Sequence, residues 1–277
     1  ETVAAASGWN NGMAIDGNDK LHVVYHNGAG LYYTTNQSGS WATPTLLATT
    51  SSTYKASIAV DAAGTVHISY YAGTGGLKYL YRPSGGAWSA VEDVDITSAA
   101  GLYNAIAVAP SGNVHIAYQR NSDLYHAIRS SGSWTTTLRA DNADPGDPTV
   151  QERGIAPALQ VDGTATSDLV RIAYYERILV DGLTGYRLKL ITNFYDCPPF
   201  LWNCDPLAGG GPYTDEIADA TAYETGLFPS LVARNGSIMI SYYDQTNGDL
   251  RLVKRKDYPW DTSGPGTFFQ GYTRMVV

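Results

Sequence analysis

Short runs in which apolar and polar residues alternate recur along the chain and predict β-strands. In residues 57–82, SIAVDAAGTVHISYYAGTGGLKYLYR, three such runs are separated by turns rich in Gly, Ala and Thr. A period of two residues places alternate side chains on opposite faces of a strand. Gly and Asp at the breaks are typical of tight turns. The pattern therefore predicts a β-hairpin followed by a third antiparallel strand.

Close copies of this unit appear five times. Their first two strands read GMAIDGNDKLHVVYH, SIAVDAAGTVHISYY, AIAVAPSGNVHIAYQ, ALQVDGTATSDLVRIAYYE and SLVARNGSIMISYYD. Each copy is followed by a Leu-led run, and three copies then carry Gly-x-Trp, which ends at Trp41, Trp88 and Trp134. Four strands per unit at a period of about 45–70 residues are typical of a propeller. The prediction is an all-β chain with a single five-bladed β-propeller of four-stranded antiparallel blades.

The repeat also predicts the domain boundaries. We expect one domain over residues 1–277, with blades at about 8–50, 51–96, 97–141, 150–220 and 221–277. The segment ETVAA has the alternation of an outer strand. Because unpaired strand edges invite association, we expect an N-terminal strand at residues 1–6 to close the last blade.

Three columns of equivalent residues suggest how the blades pack. Small residues occupy one position of the first strand, at Gly12, Ser57, Ala105, Ala158 and Ser230. Tyrosine ends the second strand in every copy, at Tyr25, Tyr70, Tyr118, Tyr174 and Tyr242. Histidine fills a third column in three copies, at His22, His67 and His115. A catalytic histidine is needed once, so we interpret the repeated one as a residue that packs the blade.

Charge and hydropathy exclude several classes of protein. The net charge of -8 and the pI near 5.0 argue against nucleic acid, which binds to basic surfaces. No run of about 18 apolar residues exists, so no transmembrane helix is expected. The sequence starts at Glu1 without Met or an apolar leader, as a mature secreted product or an excised fragment would.

The two cysteines, Cys197 and Cys204, lie in the segment DCPPFLWNCD. Their spacing does not fit a zinc site, and no second pair is present to complete one. We expect a local disulfide, with two free thiols as the alternative. A disulfide favours an oxidising compartment, so the expected location is secreted or at the cell surface.

The repeat motif resembles a known family. SIAVDAAGTVHISYY is similar to the blades S-x-A-V-D-x-x-G-x-x-H-I-S-Y-Y of secreted bacterial propeller proteins, which are loosely akin to sialidase-type propellers. The resemblance implies a secreted or surface propeller and specifies no reaction. The sialidase Asp-box S-x-D-x-G-x-x-W is absent, because VDAAGTVH has no closing Trp.

In a propeller, a ligand site is expected at the axial mouth. The first strand of each blade begins there, and the hairpin between its second and third strands lies there as well. Aromatic rings beside amides and charges suit the C–H faces and hydroxyls of a sugar. Half-exposed strand ends of any Tyr-rich β-protein look similar, so both interpretations stay open here. The candidate ligand-binding residues are Trp9, Tyr54, Lys55, Tyr103, Asn104, Glu152, Arg153, Tyr175, Glu224 and Tyr243.

The preferred function is an extracellular, non-enzymatic binding or structural module whose partner is a glycan or another protein. One alternative is a glycosidase or sialidase-like enzyme at the mouth. Glycosidases generally need two facing carboxyl groups. Near the mouth only Glu152, Glu176 and Glu224 qualify, and no catalytic residue is assigned. A second alternative is a repeating subunit of a surface assembly, with self-association through the terminal strands.

We expect no cofactor, and two segments offer calcium as an alternative. DQTNGD, Asp244 to Asp249, has oxygen ligands for calcium, but Asn-Gly also signals a hairpin turn, which we prefer. The second segment contains Asp141, Asp144 and Asp147 in a loop rich in Pro and Gly.

Overall fold

The computed structural model describes residues 2–4, 9–50, 54, 56–140, 148–193, 213–219, 225–234 and 237–256. Antiparallel strands dominate these residues, and a single turn of 3₁₀ helix, Gly73–Gly75, is the helical element among them. No helix in these ranges has the length and apolar character needed to cross a membrane. The all-β prediction is therefore confirmed for the described part of the chain.

The chain divides into two compact units, and the first comprises Glu1–Asn142 with Val161–Asp168. Three four-stranded sheets lie in this unit, each with its strands in chain order. Sheet 1 contains β1 (Trp9–Ile15), β2 (Leu21–His26), β3 (Gly30–Thr35) and β4 (Thr45–Thr49). Sheet 2 contains β5 (Ser57–Val60), β6 (Val66–Tyr71), β7 (Leu77–Arg82) and β8 (Glu92–Asp95). Sheet 3 contains β9 (Asn104–Val108), β10 (Val114–Arg120), β11 (Asp123–Ser130) and β12 (Ser133–Ala140).

The second unit comprises Ala143–Gln160 with Leu169–Val277. Sheet 4 contains β13 (Val150–Thr164), β14 (Ser167–Val180), β15 (Leu183–Asn193) and β16 (Tyr213–Asp219). Sheet 5 has three described strands, β17 (Thr225–Arg234), β18 (Ser237–Asp244) and β19 (Asp249–Lys256). The five first strands therefore lie where the repeat predicts them.

The turn between the first two strands is closed by an aspartate in the first two repeats. Asp61 Oδ1 accepts hydrogen bonds from the backbone N–H groups of Ala63 at 2.9 Å and Thr65 at 2.8 Å. Asp16 Oδ1 makes the equivalent contacts with the N–H groups of Asn18 and Lys20. Such side-chain bonds stabilise tight turns. The recurring aspartates are therefore turn residues, as predicted.

The second oxygen of each aspartate faces the repeated histidine. Nε2 of His67 lies 3.4 Å from Asp61 Oδ2, while Nδ1 lies 2.7 Å from the hydroxyl oxygen of Tyr79. In sheet 1, His22 has the same contacts with Asp16, at 3.5 Å, and Tyr33, at 2.6 Å. One tautomer satisfies both contacts: Nε2–H donates to the carboxylate, and the tyrosine O–H donates to Nδ1. Both histidines are buried, so this aspartate–histidine–tyrosine row fixes β-strands two and three to the turn.

Sheet 3 builds the same row from other residues. Ala109 takes the place of the turn aspartate, and Nε2 of His115 instead lies 3.0 Å from Oδ2 of Asp168, at the start of β14. His126 replaces the tyrosine, with its Nε2 3.1 Å from His115 Nδ1. Arg139 Nη2 lies 3.5 Å from His126 Nδ1. One assignment of hydrogens satisfies all three contacts: Arg139 donates to His126, His126 donates to His115, and His115 donates to the Asp168 carboxylate, with both histidines neutral.

Sheets 1 and 2 contact each other through the tyrosine of the row. The ring of Tyr33 meets Trp88 edge to face at 5.0 Å, and its hydroxyl accepts a bond from Arg82 at 2.9 Å. One repeat later, Tyr79 meets Trp134 in the same geometry at 5.1 Å. Edge-to-face pairs add to the area that the rings bury. The repeated Gly-x-Trp thus supplies a ring that packs on the preceding sheet.

The column of small residues on the first strand lies where neighbouring sheets approach closely. A Cβ atom added to Gly12 would be 2.9 Å from the backbone oxygen of Ala56, at the entrance to sheet 2. Ser57 Oγ accepts a bond from the N–H of Ile106, in sheet 3, at 3.2 Å. Larger side chains would push these backbones apart. The repeated tyrosines are buried as well, at Tyr25, Tyr70, Tyr118, Tyr174 and Tyr242.

Two predictions about domain organisation stay predictions. Residues 2–4 lie outside any strand, and residues 1, 5–8 and 257–277 lie outside the described ranges, so the closing N-terminal strand is not tested. The single domain with blades at about 8–50, 51–96, 97–141, 150–220 and 221–277 is also untested.

The buried histidines lead to a pH prediction. Burial lowers the pKa of all five, His22, His26, His67, His115 and His126, and His126 falls well below the ordinary value of 6.5. Below that pH the unfolded chain binds more protons than the folded one, so the stability that neutral histidines provide is complete above it and lost as pH falls. Each extra proton changes stability by about 1.4 kcal/mol per pH unit. Urea denaturation at about pH 7.5 and 5.5 should show this loss.

A single substitution that copies the equivalent residue of the first two repeats provides the control. His126→Tyr installs the residue found at Tyr33 and Tyr79, whose hydroxyl can still donate to His115. The variant lacks one titrating group and should lose less stability on acidification than the wild type. An equal pH slope in both proteins would contradict the assignment of His126.

Candidate functional site

The predicted mouth residues lie at one end of the strands of each sheet, and we call this end of the sheet the mouth edge. In the antiparallel register Trp9 is opposite His26, and Asn104 is opposite Tyr118. The start of each first strand therefore lies beside the end of the second strand. This geometry brings together the two groups of residues that the sequence placed at the mouth.

Three tyrosines form a cluster at the mouth edge of sheets 2 and 3. The ring of Tyr54 meets Tyr71 edge to face at 5.5 Å and Tyr103 in the same geometry at 6.2 Å. Tyr54 is 40% exposed, and the other two are half-buried. Aromatic residues held by other rings keep a fixed orientation while presenting apolar surface to solvent. We call Tyr54, Tyr71 and Tyr103 the tyrosine cluster.

A buried carboxylate supports the adjacent hairpin of sheet 3. Asp95 Oδ2 accepts bonds from the Tyr118 hydroxyl at 2.8 Å and from Arg120 Nη1 at 2.9 Å. Burial opposes ionisation of Asp95, but hydrogen bonds from Thr97, Tyr118 and Arg120 outweigh it and lower the pKa of this carboxyl. The guanidinium of Arg120 also lies 3.6 Å from the ring centre of Tyr125. Asp95 is therefore an ionised anchor that joins sheets 2 and 3.

Asn104, a candidate ligand residue, is buried and only 3% exposed. Its Oδ1 accepts a bond from Ser69 Oγ at 2.7 Å, and its Nδ2 donates to the backbone oxygen of Gly101 at 3.0 Å. These bonds join sheet 2 to the turn that leads into sheet 3. The side chain thus bonds to other parts of the protein instead of presenting its amide to solvent.

Ion pairs hold the charged candidates of the second unit. Arg153 is 5% exposed, and its Nε lies 3.2 Å from Glu176, which is fully buried. Arg187 at 2.7 Å and Lys189 at 3.6 Å contact the same carboxylate. Glu152 lies 3.2 Å from Nε of Arg177. None of these geometries leaves a solvent-facing carboxylate pair among the described residues of the mouth edge.

The aromatic candidates of the second unit differ in exposure. Tyr175 is buried and meets Tyr186 at 5.6 Å and Phe228 at 6.0 Å, both edge to face. Phe228 itself is 67% exposed, and Tyr243 is 40% exposed. Phe228 is not among the predicted candidates, because it lies within a first strand, where register shifts between Thr225 and Ser230 displace it from the regular pattern.

Several candidates lie wholly or partly outside the described residues. The backbone of Trp9 belongs to β1, while its side chain is outside the described set. The remaining ones are Lys55, Glu224, the predicted disulfide of Cys197 and Cys204, and the loop with Asp141, Asp144 and Asp147.

The calcium candidate DQTNGD, Asp244 to Asp249, is a hairpin turn. Asp244 Oδ1 accepts the N–H of Asn247 at 3.2 Å, and Oδ2 accepts the Asn247 amide at 2.8 Å. Arg251 Nε lies 2.7 Å from Oδ2. These partners use the carboxylate oxygens that calcium would need. Across the described residues, no group of three or more His, Cys, Asp or Glu side chains could hold a metal ion.

Comparisons with known proteins bear on the fold. No protein-family model matches the chain, and no curated protein matches it in sequence. Solved structures do. AofleA from Arthrobotrys oligospora gives a TM-score of 0.59 at 10% identity, over 92% of this chain and 72% of that chain. A variant of Aleuria aurantia lectin in complex with alpha-methyl-L-fucoside gives 0.55 at 15% identity, over 88% and 72%.

A third solved structure identifies the type of fold. The fungal lectin from Aleuria aurantia, a six-bladed β-propeller with a novel fucose recognition mode, gives a TM-score of 0.54 at 14% identity, over 88% of this chain and 74% of that chain. At this level of identity the likeness shows the fold alone. The chain therefore has a β-propeller-like fold of antiparallel sheets. The neighbour has six blades, whereas the described residues here form five sheets, so a count of five blades stays a prediction.

Asn104 provides a test of the bonds that join sheet 2 to the turn before sheet 3. Asn104→Ala should lower the free energy of unfolding by about 1–3 kcal/mol, because the buried Ser69 hydroxyl and the Gly101 carbonyl lose a partner. The measurement is the midpoint of urea denaturation, with Asn18→Ala, at an exposed turn, as the matched control. Unchanged stability of Asn104→Ala would contradict a structural role.

Proposed function

We propose that the protein is an extracellular, non-enzymatic propeller module that binds a glycan at its mouth edge. The observation that carries the proposal is the tyrosine cluster, in which Tyr71 and Tyr103 hold the exposed ring of Tyr54. A sugar offers C–H groups to such a ring and hydroxyls to polar groups beside it. The proposal keeps five blades, one per sheet, and an oxidising location in which Cys197 and Cys204 form a disulfide.

The neighbouring structures support this choice of ligand class. Two of the solved structures with the same kind of fold are of a lectin, and one of them is a complex with alpha-methyl-L-fucoside. A fucoside is therefore the first sugar to try. The sequence identity of 14–15% does not extend the binding residues of that lectin to this chain, so the site proposed here rests on the tyrosine cluster.

An enzymatic function has less support. A glycosidase needs one carboxyl that can donate a proton and a second one facing the bond that is cleaved. Glu176 is fully buried among Arg153, Arg187 and Lys189. A fully buried carboxylate surrounded by three cationic side chains has no access to a substrate. For this reason the proposal is a binding module.

Substitutions in the tyrosine cluster test the proposal. Tyr54→Ala and Tyr103→Ala should each weaken binding of alpha-methyl-L-fucoside, or of the best sugar on a glycan array, at least about tenfold, which corresponds to about 1.4 kcal/mol. Isothermal titration calorimetry measures the Kd, and thermal melting reports stability. Tyr54→Phe keeps the ring and should retain most of the affinity.

The matched control is Trp41→Ala, which removes a half-buried ring from the β3–β4 connection, at the opposite end of the strands from the mouth edge. This variant should bind sugar as the wild type does. Equal affinity of wild type and Tyr54→Ala, or failure of every sugar on the array to bind the wild type, would refute the proposed function.

A further inference from the structure

A three-residue motif is repeated at the entrance to two sheets. The segment GLY, residues 101–103, leads into sheet 3, and the segment GLF, residues 226–228, lies near the start of β17 in sheet 5. In both, the aromatic residue stands two positions before the small residue of the first strand. Tyr103 belongs to the tyrosine cluster, so the repeat makes Phe228 its equivalent in sheet 5.

The glycine of each motif seats it on the preceding sheet. Gly101 and Gly226 have φ angles of +90° and +94°, in the left-handed region that favours glycine. A Cβ atom added to Gly101 would lie 2.9 Å from Cβ of Leu77, and one added to Gly226 would lie 2.6 Å from Cβ of Leu188. Both motifs therefore approach an equivalent leucine in the same close way.

These leucines also mark the tyrosine that each motif approaches. Tyr71 is opposite Leu77, and Tyr175 is opposite Leu188, so each tyrosine lies on the same face of its sheet as the leucine. In the second unit, the ring of Phe228 meets that of Tyr175 edge to face at 6.0 Å. The equivalence seen in the sequence thus holds in the structure.

A third ring completes this group. Tyr186 meets Tyr175 edge to face at 5.6 Å and is half-buried. Tyr175 is 7% exposed, whereas Phe228 is 67% exposed. We call Tyr175, Tyr186 and Phe228 the Phe228 cluster. As in the tyrosine cluster, buried or half-buried rings hold an exposed one in a fixed orientation.

An ion pair lies on the same face of sheet 4 as the two tyrosines. Arg177 is opposite Tyr186 and two residues beyond Tyr175 along β14. Its Nε is 3.2 Å from Oε2 of Glu152, and the two side chains are 44% and 22% exposed. A sugar hydroxyl both donates and accepts hydrogen bonds, so it can use this guanidinium and this carboxylate together. Apolar ring surface and polar groups for hydroxyls are therefore both present.

The backbone at Phe228 is a further sign of selection for an exposed ring. Its φ angle is +52°, which is rare for a bulky residue. The equivalent residues of sheets 1 and 4, Asn10 and Ala156, have φ angles of +47° and +44°. The bend thus recurs in the fold, whereas the large ring at the bend is particular to sheet 5. Backbone strain that persists is concentrated at ligand sites.

We propose that the Phe228 cluster, with Arg177 and Glu152 beside it, is a second glycan-binding site, so that one chain binds two sugars. A sugar packs its C–H face on Phe228 and bonds its hydroxyls to the ion pair. The class of ligand rests on the proposed function, but the residues are separate from the tyrosine cluster. Each compact unit therefore carries one site.

Stoichiometry tests the proposal. Isothermal titration calorimetry with alpha-methyl-L-fucoside, or with the best sugar on a glycan array, should give two sugars per wild-type chain. Phe228→Ala and Tyr54→Ala should each retain one, and the double variant should bind none. Leu183→Ala is the matched control, because Leu183 is 74% exposed in the same hairpin but lies on the other face of sheet 4. It should bind two.

The ring itself provides a second readout. The chain has five phenylalanines, so protein labelled with 4-fluorophenylalanine gives five fluorine signals, and the one missing from Phe228→Ala belongs to Phe228. Adding the sugar should shift this signal in the wild type and equally in Tyr54→Ala. An unshifted signal at saturating sugar would refute the second site.

Stability separates a binding role from a packing role. Phe228→Gly removes the ring and suits the positive φ, so it should bind one sugar and melt no lower than the wild type. A lower melting temperature with two sugars still bound would show that the ring packs within the protein, and the proposal would be wrong.

The two sites fail independently. A wild type that binds one sugar and loses it only in Tyr54→Ala would leave the proposed function intact and refute the second site. A wild type that binds one sugar and loses it only in Phe228→Ala would uphold the Phe228 cluster and refute the tyrosine cluster. Failure of the wild type to bind any sugar would refute both.

Discussion

The need to cover both faces of every sheet organises this protein. An antiparallel sheet in water usually buries one face and exposes the other. Here Leu77 on one face of sheet 2 and Ile68 on the other are both fully buried. A single repeat therefore cannot be stable by itself, and the stability of the array depends on contacts between consecutive repeats. The small residues of the first strand, such as Gly12, let the backbones come close enough for these contacts.

Polar groups within the packed sheets impose a second requirement, because a buried donor or acceptor without a partner is costly. The rows built around His22 and His67 meet it by giving each ring nitrogen one partner, a carboxylate on one side and a tyrosine hydroxyl on the other. Each row also fixes which tautomer is present. The same tyrosines receive a ring from the next repeat, so polar and apolar contacts between strands and between sheets are joined in one residue.

Sequence reasoning predicted most of the fold, because its main signals are local. Alternation of apolar residues, turn aspartates such as Asp61 and the repeated Tyr-ended strand located every first and second strand. It could not show that Asn104 is buried, because the spacing that brings an amide to the mouth edge is the same whether it faces solvent or a serine of the neighbouring sheet. It also placed Arg153 at a binding surface, whereas Glu176 draws it into a buried ion pair.

The row of the third sheet has a consequence for how this array can change. Its histidine, His115, relies on Asp168, which the following repeat contributes. In sheet 3 the position that holds the turn aspartate of sheets 1 and 2 is occupied by Ala109. Unequal recombination between repeats adds or removes whole modules, and it does so with least damage where a module contains all its own partners. A deletion or circular permutation that separates the third module from the fourth would leave His115 without its carboxylate. These two modules are therefore expected to be inherited and exchanged as a pair.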